Sequence, residues 1–579
     1  MVADAEDGDQ TTTVSVVDDS SASPASPAAP ASPAASAAPA VDATEEGATG
    51  GATGEGVQDR LARLRPLLRW GGWGYVGPLV LVALIGVIAS INHFSGHDWG
   101  DDFALYMHQA KSLTVGNVGE VIRNNRYTVD NSGWHTFSPY LYPWGWPLIV
   151  APFYALFGLD YAVFKFLEVV AFCVFLYLFF DIVKRRIEVI AAVLLLLLIG
   201  LSPSDIGATD TVLSDIPYLC FVFVTLWWMD RCRRRGIFEV DRRDLVILGL
   251  LLAFAFNVRR EGITLVATLL ALHVAVLGGI AVRARSLRPL RAVSPRKVIL
   301  PYATFAISVA VFQFVLPTDF IPSLPGAGLK NAHTHIPFYR DVFAETVGLK
   351  VAGQPMAVFH SHKLASVLVT VIIVLAVIGM VFRLVRYLER DVVLAAYLCA
   401  ATFVVLDSPY QEGRYLLTIS PLLLYFAYQA LPAVAELVSR HRELLFWAAA
   451  PPIAALTGLV MLNVHTTDKS TRFHLQYHYV VHGPEAPDAK EMFAAVKEMT
   501  GRTDVILFYR ARAMSLYTDR RAVQGTDLDT MLPRVEWYVM ERNSTYSQTL
   551  LTDSQANARG LTDVWDNSEW VIWRVPRRT

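Results

Sequence analysis

The feature that most constrains this chain is a series of long apolar runs, which recur between residues 75 and 464 with short polar connections between them. A helix needs roughly 20 apolar residues to cross the hydrocarbon core of a bilayer. With 54% hydrophobic and 18% charged residues, the 579-residue chain carries more apolar surface than a globular core buries. The sequence therefore predicts a polytopic α-helical membrane protein with about eleven transmembrane helices.

The basic residues between the runs predict the orientation of the chain. Alternate connections hold Lys and Arg clusters, at 60–69, 184–186, 231–243, 283–297, 383–390 and 440–442. By the positive-inside rule these connections and the N-terminus face the cytoplasm, and the C-terminus lies outside. An Ala-rich composition is typical of a bacterial protein, so we expect a multi-pass protein of a bacterial plasma membrane. The predicted spans are 75–91, 161–183, 187–201, 211–229, 245–258, 262–282, 298–316, 364–382, 392–406, 415–437 and 444–464.

Composition divides the chain into three predicted domains. Residues 1–58 are rich in Ala, Pro and Ser with acidic charges, which predicts a disordered cytoplasmic tail. Residues 59–464 form the transmembrane domain, including a long outer loop at 93–160. Residues 465–579 contain a D-x-x-E capping box at Asp488 and two strand-like runs at 504–509 and 570–575. This last segment is predicted to be a small extracytoplasmic α/β domain.

Two adjacent carboxylates stand in the outer loop, Asp101 and Asp102 of the sequence W-G-D-D-F-A-L-Y. Neighbours on a helix point about 100° apart, so the two carboxylates cannot share one task. One could face a cavity while the other caps or pairs. The alternative is that both are solvated carboxylates that interact with the dipole at the start of a helix.

Three arginines on the outer side break the positive-inside pattern, Arg259, Arg260 and Arg414. Arginine near the bilayer interior needs an anionic partner. That partner could be a phosphate, or it could be the nearby Glu261 and Glu412 in structural ion pairs. Both alternatives remain open from sequence. The motifs that contain or accompany these arginines are Y-P-W-G-W-P at 142–147, S-D-I-P-Y at 214–218, R-R-E-G at 259–262 and G-R-Y at 413–415.

In their order and on one predicted membrane face, these motifs resemble the GT-C superfamily of membrane glycosyltransferases, in particular its protein O-mannosyltransferase and lipid A aminoarabinose transferase branch. The resemblance implies that the first acidic residue of the outer loop is the catalytic base. Asp101 matches that position, and Asp102 replaces the usual Glu. The resemblance also implies donor phosphate binding by the three arginines, with further site candidates at Asp215, Glu261, Glu412, Tyr142 and Trp144.

The resemblance implies a GT-C-like fold and transfer of a sugar from a polyprenyl-phosphate-linked donor to an acceptor hydroxyl on the extracytoplasmic face. The acceptor could be a glycan, a protein or a lipid. A phosphodiester leaving group needs no general acid, so one carboxylate and nearby cations suffice, and attack from the opposite face inverts the anomeric centre. The alternative is a transporter or flippase of lipid-linked envelope precursors. Many transporters contain inverted repeats, and the sequence shows no obvious one, which argues against this alternative.

Other classes of ligand are not expected. The net charge of −2 and the short basic clusters do not indicate a nucleic-acid surface. No Gly-rich phosphate loop is present, so no nucleotide cofactor is predicted. The H-x-H spacing of His333 and His335 could bind a metal, but no compact ligand set accompanies it and no metal is predicted.

Overall fold

The computed structural model describes residues 73–133, 139–319, 330–351, 354–356, 362–438, 442–477 and 482–576. The predicted tail at 1–58 lies outside these residues. From Gly77 onward the chain forms one compact unit.

Fifteen α-helices precede the C-terminal region in the described part of the chain. They include long apolar helices and the short helices of the predicted outer loops. Two short strands, β1 (Lys350–Val351) and β2 (Gln354–Pro355), pair antiparallel between the twelfth and thirteenth helices. The helices are α1 (Trp73–Ile91), α2 (Asp101–Val115), α3 (Val118–Asn131), α4 (Gly145–Phe157), α5 (Tyr161–Val183), α6 (Val189–Gly200), α7 (Pro203–Ala208), α8 (Asp215–Arg234), α9 (Arg242–Val258), α10 (Ile263–Ala284), α11 (Pro295–Val315), α12 (Ala332–Thr346), α13 (His362–Asp407), α14 (Ser420–Val438) and α15 (Arg442–Tyr477).

Four helical segments of the described chain are long and apolar enough to cross a membrane: Tyr161–Val183, Arg260–Ala284, Pro295–Val315 and His362–Asp407. Shorter apolar helices cover Val76–Ile91, Gly145–Phe157 and Val189–Gly200. These helices support a multi-pass membrane protein, while the count of eleven spans and the orientation of the termini stay predictions.

The predicted spans 364–382 and 392–406 are joined in one 46-residue helix, α13, that is interrupted at Tyr387 (φ −135°, ψ 39°). Its basic segment is therefore a kinked helix and not the loop that a charge cluster suggested. Beside the kink, Arg383 Nε donates to Asp391 at 2.6 Å. Asp391 also accepts from Arg186 Nε, at 3.0 Å, and Arg186 Nη2 contacts Asp230 of α8. Pairing compensates the burial of these charges.

The outer loop folds into helices α2, α3 and α4. Helix α2 begins at Asp101, as the sequence predicts, and both carboxylates of the pair lie in its first turn. Negative charge in the first turn is favourable because the helix macrodipole is positive there. The helix ends at Gly116, whose positive φ of 76° provides the left-handed C-cap.

The C-terminal region is an α/β arrangement built on a five-stranded sheet. Its strand order is β4-β3-β5-β7-β6, with β4, β3 and β5 parallel and with β7 antiparallel to both β5 and β6. The predicted helix and both predicted strand runs are present. The elements are α16 (Pro487–Met499), β3 (Val505–Leu507), α17 (Ala511–Thr518), β4 (Arg521–Val523), α18 (Leu528–Met531), β5 (Trp537–Glu541), α19 (Asp553–Ala558), β6 (Thr562–Asp566) and β7 (Trp570–Arg574).

Two details of this region differ from prediction. The predicted capping box is wrong, because α16 begins at Pro487 with Ala486 at the N-cap and no side-chain cap. Glu491 instead accepts a hydrogen bond from Asn567, at 3.3 Å. The boundary predicted at 464/465 falls inside α15, which continues to Tyr477.

The outer loop and the C-terminal region share one hydrophobic core. Trp99, just before α2, is 5% exposed and lies within 6.0 Å of the rings of Phe493, Phe508 and Trp570, measured between centroids. Phe103 and Met492 belong to the same buried cluster. Large aromatic side chains contribute most of the apolar area in such a core. The C-terminal region is therefore packed onto the loop that carries the acidic pair.

Candidate active site

The carboxylate of Asp102 faces a group of polar side chains that come from distant parts of the chain. Arg414 Nη2 donates to Asp102 Oδ2 at 3.0 Å, and the hydroxyl of Tyr142 donates to Asp102 Oδ1. About a third of the Asp102 side chain is exposed, 33%, so the carboxylate is accessible as well as paired. Burial alone would raise the pKa of Asp102, but Arg414 and the Tyr142 hydroxyl outweigh it and hold that pKa below its usual value.

The carboxylate of Asp101 points in another direction, toward the C-terminal region. It is 8% exposed and accepts a hydrogen bond from the backbone N–H of Arg512, at 3.0 Å. Arg510 Nη1 lies 3.7 Å from its other oxygen. Burial raises the pKa of Asp101, and the two arginines oppose that rise. The adjacent carboxylates thus have separate surroundings, as the helical geometry requires.

Arg414 lies at the centre of the polar group. It is carried by the 3-10 turn Gly413–Leu416 and also approaches Asp215 Oδ2 and Glu412 Oε2, both at 3.7 Å. Arg259 contacts the other oxygen of Asp215 and pairs with Glu261 at 3.1 Å. Asp215 therefore lies between the two guanidinium groups.

These residues, which we call the acidic–arginine cluster, are Asp102, Asp215, Glu261, Glu412, Arg259 and Arg414. Its carboxylates outnumber its guanidinium groups. Burial and the neighbouring carboxylates Asp102 and Asp215 raise the pKa of Glu412, although Arg414 opposes them. The four carboxylates are thus coupled through two guanidinium groups, and protonation of one affects the others.

Arg260 contacts backbone carbonyl oxygens and an aromatic ring. Its Nε and Nη1 donate to the carbonyl oxygens of Asp319 and Phe256, at 3.4 and 3.5 Å. The guanidinium carbon is 4.6 Å from the centroid of the Phe256 ring. Of the three predicted phosphate ligands, the structure brings Arg259 and Arg414 together around Asp215 and places Arg260 on the side of α9.

Tyr142 is held by a ring contact with Tyr106 and by its hydrogen bond to Asp102. Its ring stacks on Tyr106 with 4.5 Å between centroids, and Tyr106 shares a 2.7 Å hydrogen bond with Ser214. Burial and the neighbouring Asp102 raise the pKa of Tyr142, so its hydroxyl remains a donor. Trp144, also predicted as a site residue, is 1% exposed and donates its indole N–H to the carbonyl of Pro317. Its ring has no exposed face for a substrate.

Sequence reasoning missed the contacts made by the loop and helix after β3. Arg512 lies more than 400 positions from the acidic pair in the chain, and no local motif connects the two. Ser214 and Tyr106 were also missed, although both stand inside motifs that were recognised. The partner of each of these side chains is defined only by the tertiary fold.

No group of His, Cys, Asp and Glu side chains that could hold a metal occurs among the described residues. The ring of His335 is buried between two backbone carbonyls, with Nδ1 2.9 Å from Asn331 O and Nε2 3.1 Å from Ser408 O. Both ring nitrogens of His335 thus lie against the backbone.

An apolar groove of about 420 Å³ runs between α8, α9 and α11. The lining residues nearest the C-terminal end of α9 are Ala253 and Phe254. Phe254 lies about 6 Å along the helix axis from Val258, where α9 ends beside Arg259 and Arg260. The groove is lined by Phe221, Ile247, Leu250, Leu251, Ala253, Phe254, Ile307, Ser308, Val311 and Phe312.

Part of the chain matches a known protein family. The family described as dolichyl-phosphate-mannose-protein mannosyltransferase matches residues 141–292. That segment contains Tyr142, Asp215 and the three residues from Arg259 to Glu261, but not the acidic pair or Arg414. No curated protein matches the chain.

The fold is similar to that of ArnT from Cupriavidus metallidurans. The structure of ArnT bound to undecaprenyl phosphate matches with a TM-score of 0.53 at 12% identity, over 87% of this chain and 99% of that chain. The apo structure matches with a TM-score of 0.52 at 13% identity, over 87% and 98%. The match in fold agrees with the resemblance to the GT-C superfamily that the motifs indicated.

Proposed function

We propose that this chain is a membrane glycosyltransferase that moves a sugar from a polyprenyl-phosphate-linked donor to an acceptor hydroxyl on the extracytoplasmic face. The observation that carries the proposal is the partly exposed Asp102 carboxylate held by Arg414 and Tyr142 in the outer loop. It supplies a base and a cation side by side. The fold, the matched mannosyltransferase family and the undecaprenyl phosphate bound to ArnT support the same chemistry.

In this proposal Asp102 is the general base, in place of Asp101. A base must come within about 2.6–3.2 Å of the group whose proton it takes. Access to the acceptor therefore decides between the two carboxylates before their pKa values do. Asp101 is buried against Arg510 and the backbone of Arg512, whereas Asp102 is accessible beside the arginines. The higher pKa of Asp101 makes it the stronger base in principle, but its lone pairs are directed at the C-terminal region.

Arg414 connects donor binding to the strength of the base. A donor phosphate that accepts hydrogen bonds from Arg414 takes part of the positive charge away from Asp102. The pKa of Asp102 then rises, because the interaction that lowers it is weakened. Donor binding would thereby convert a weak carboxylate base into a stronger one, while Arg259 keeps Asp215 in place.

The reaction balances with these groups alone. Asp102 accepts the proton of the acceptor hydroxyl while the acceptor oxygen forms a bond to the anomeric carbon. The bond between that carbon and the phosphate oxygen breaks, and the phosphate leaves with the electron pair as polyprenyl phosphate. Cations stabilise the charge that develops on the phosphate, and attack from the opposite face inverts the anomeric centre.

The apolar groove offers a place for the polyprenyl chain of the donor. It contains one polar side chain, Ser308, among its lining residues, and its lining on α9 reaches Phe254, about one turn before that helix ends at Val258. A lipid phosphate at Arg259 and Arg260 would extend its isoprenoid chain along α9 and α11.

The test uses the purified protein in liposomes with a panel of polyprenyl-phosphate sugars that carry a label in the sugar. We expect release of polyprenyl phosphate and appearance of the label on an added hydroxyl acceptor. A dithionite or enzymatic accessibility assay of the lipid measures movement of unreacted donor across the bilayer. Movement without release would identify the transporter or flippase instead and would overturn the proposal.

A further inference from the structure

The C-terminal region reaches the outer loop through the first turn of α17, at the edge of the sheet where parallel strand β3 ends. In α/β sheets this edge is where ligands usually bind. Here it contacts the chain's own loop, because Arg512 N–H donates to Asp101 Oδ1 at 3.0 Å. Asp101 also begins helix α2, so one carboxylate lies at the N-termini of two helices. Both helix dipoles favour its negative charge.

The side chain of Arg512 continues from this contact toward the site. It is 3% exposed, and its Nε donates to Asn125 Oδ1 of α3 at 3.0 Å. Its Nη2 donates to the carbonyl oxygen of Pro139 at 2.5 Å. Its guanidinium carbon lies 5.7 Å from the centroid of the Tyr142 ring. One planar fork thus contacts α3, residue 139 and the aromatic ring that holds Asp102.

The segment that carries Tyr142 is fixed by the same partners. Asn125 Nδ2 donates to the carbonyl of Tyr140, and Gln109 Nε2 donates to the carbonyl of Tyr142 at 2.9 Å. Helix α3 is itself held at the edge strand β4, where Thr128 Oγ1 donates to Ala522 O at 2.8 Å. Arg512 is therefore at the junction between the sheet and the segment that ends at Asp102.

We propose that Arg512 is a positioning residue that sets the Tyr142–Asp102 pair through Asn125 and Pro139, and that Asp101 is the carboxylate that fastens α17 to the start of α2. The C-terminal region then completes the site from outside the membrane domain, and its presence is required for turnover. This inference rests on the proposed function, since it assigns a role relative to the base of that reaction. Lysine cannot replace the planar, bidentate fork of Arg512 although it keeps the charge.

The charge and the geometry of Arg512 have separable consequences. Arg512 is one of the cations that hold the pKa of Asp102 down, after burial, Arg414 and Tyr142. In Arg512→Lys the charge is retained and the bridge to Asn125 and Pro139 is lost. In Arg512→Gln the positive charge and the bridge are both lost. The acid limb of the pH–rate profile distinguishes these two effects, because it follows the pKa of the base.

The test measures kcat and the donor KM of the full-length protein in liposomes over a pH series. We expect kcat to fall roughly 10- to 100-fold in Arg512→Lys, with the donor KM and the acid limb unchanged, because a small misplacement of the reacting groups costs about this much. In Arg512→Gln we expect the same fall and an acid limb shifted to higher pH. Asn125→Ala removes the same bridge from its other end and should reproduce the fall in kcat.

The matched control is Arg520→Gln, in which another arginine of the C-terminal region loses its hydrogen bonds to Thr500. It should leave kcat within about twofold of wild type, as expected for a change away from the reacting groups. The inference is overturned if Arg512→Lys and Asn125→Ala, both folded by thermal melting, keep wild-type kcat, or if Arg520→Gln lowers kcat equally. Failure of the proposed function is distinct, because then wild type itself transfers no sugar.

Discussion

Replacement of Arg414 by glutamine tests the electrostatics of the site most fully. Arg414 is the strongest attractive influence on Asp102, at 3.0 Å, and its removal leaves the carboxylate with the Tyr142 hydrogen bond and the charge of Arg512. The direction in which the acid limb of the rate profile moves follows from these contacts. The folded-state pKa of Asp102 is depressed, the base works when deprotonated, and loss of the cation raises that pKa. The acid limb of the rate profile should therefore move to higher pH.

The size of this shift can be worked from the distance between Arg414 and Asp102. Two unit charges at 3.0 Å interact by about 1.4 kcal/mol at the dielectric constant of water and by about 5.5 kcal/mol at an effective constant of 20. Because a third of Asp102 is exposed, solvent screening favours the lower end, about 1.5–3 kcal/mol. The expected shift is therefore roughly one to two pH units.

The assay is the initial rate of sugar transfer in liposomes between pH 4 and 9 with donor well below its KM, because kcat/KM then follows the pKa of the base in the donor-free protein. Arg340→Gln is the control, since Arg340 pairs with Asp341, at 3.6 Å, in place of Asp102. Its profile should match wild type. An Arg414→Gln profile with the wild-type acid limb and a measurable rate would refute the claim that Arg414 controls the base.

Three further results are expected. Arg260→Gln should raise the donor KM severalfold and leave the acid limb in place, because Arg260 lies beside Phe256 and away from Asp102; pH-resolved kinetics check both parts. Asp101→Asn should expose the C-terminal region to protease and lower the melting temperature by several degrees, since a buried charge-assisted contact of about 1.5–3 kcal/mol is weakened. Ala253→Trp should fill the apolar groove and raise KM for a long-chain donor but not for a short-chain analogue, as competition between the two donors would show.

Much of the architecture could be predicted from the sequence because hydrophobic length and helix-start residues are local signals. The apolar helices, the start of α2 at Asp101 and the strand runs near 505 and 570 all follow from them. The pairing of Arg259 with Glu261 was also among the stated alternatives. These features need information from only a few neighbouring residues.

The rest depends on contacts between distant segments. The orientation of Asp101 is set by α17, and that partner leaves no trace near residue 101. The basic segment around Tyr387 was predicted to be a loop. Arg383 is instead buried and paired with Asp391, and the helix continues through the segment. Asp488 begins no capping box because Pro487 already starts the helix. In the first two cases tertiary packing decides between local patterns that are equally good, whereas at Asp488 one local signal overrides another.

The central claim is that Asp102, and not Asp101, takes the proton from the acceptor. The direct measurement compares single-turnover transfer rates and donor binding for Asp102→Asn and Asp101→Asn in the same liposomes. Asp130→Asn is a matched control, because Asp130 also accepts a hydrogen bond from a tyrosine of the outer loop, Tyr140, at 2.7 Å. We expect Asp102→Asn to bind donor and to lose about 10²- to 10⁴-fold in rate, with Asp101→Asn affected far less and Asp130→Asn unchanged. A wild-type rate in Asp102→Asn together with an inactive, folded Asp101→Asn would contradict the account.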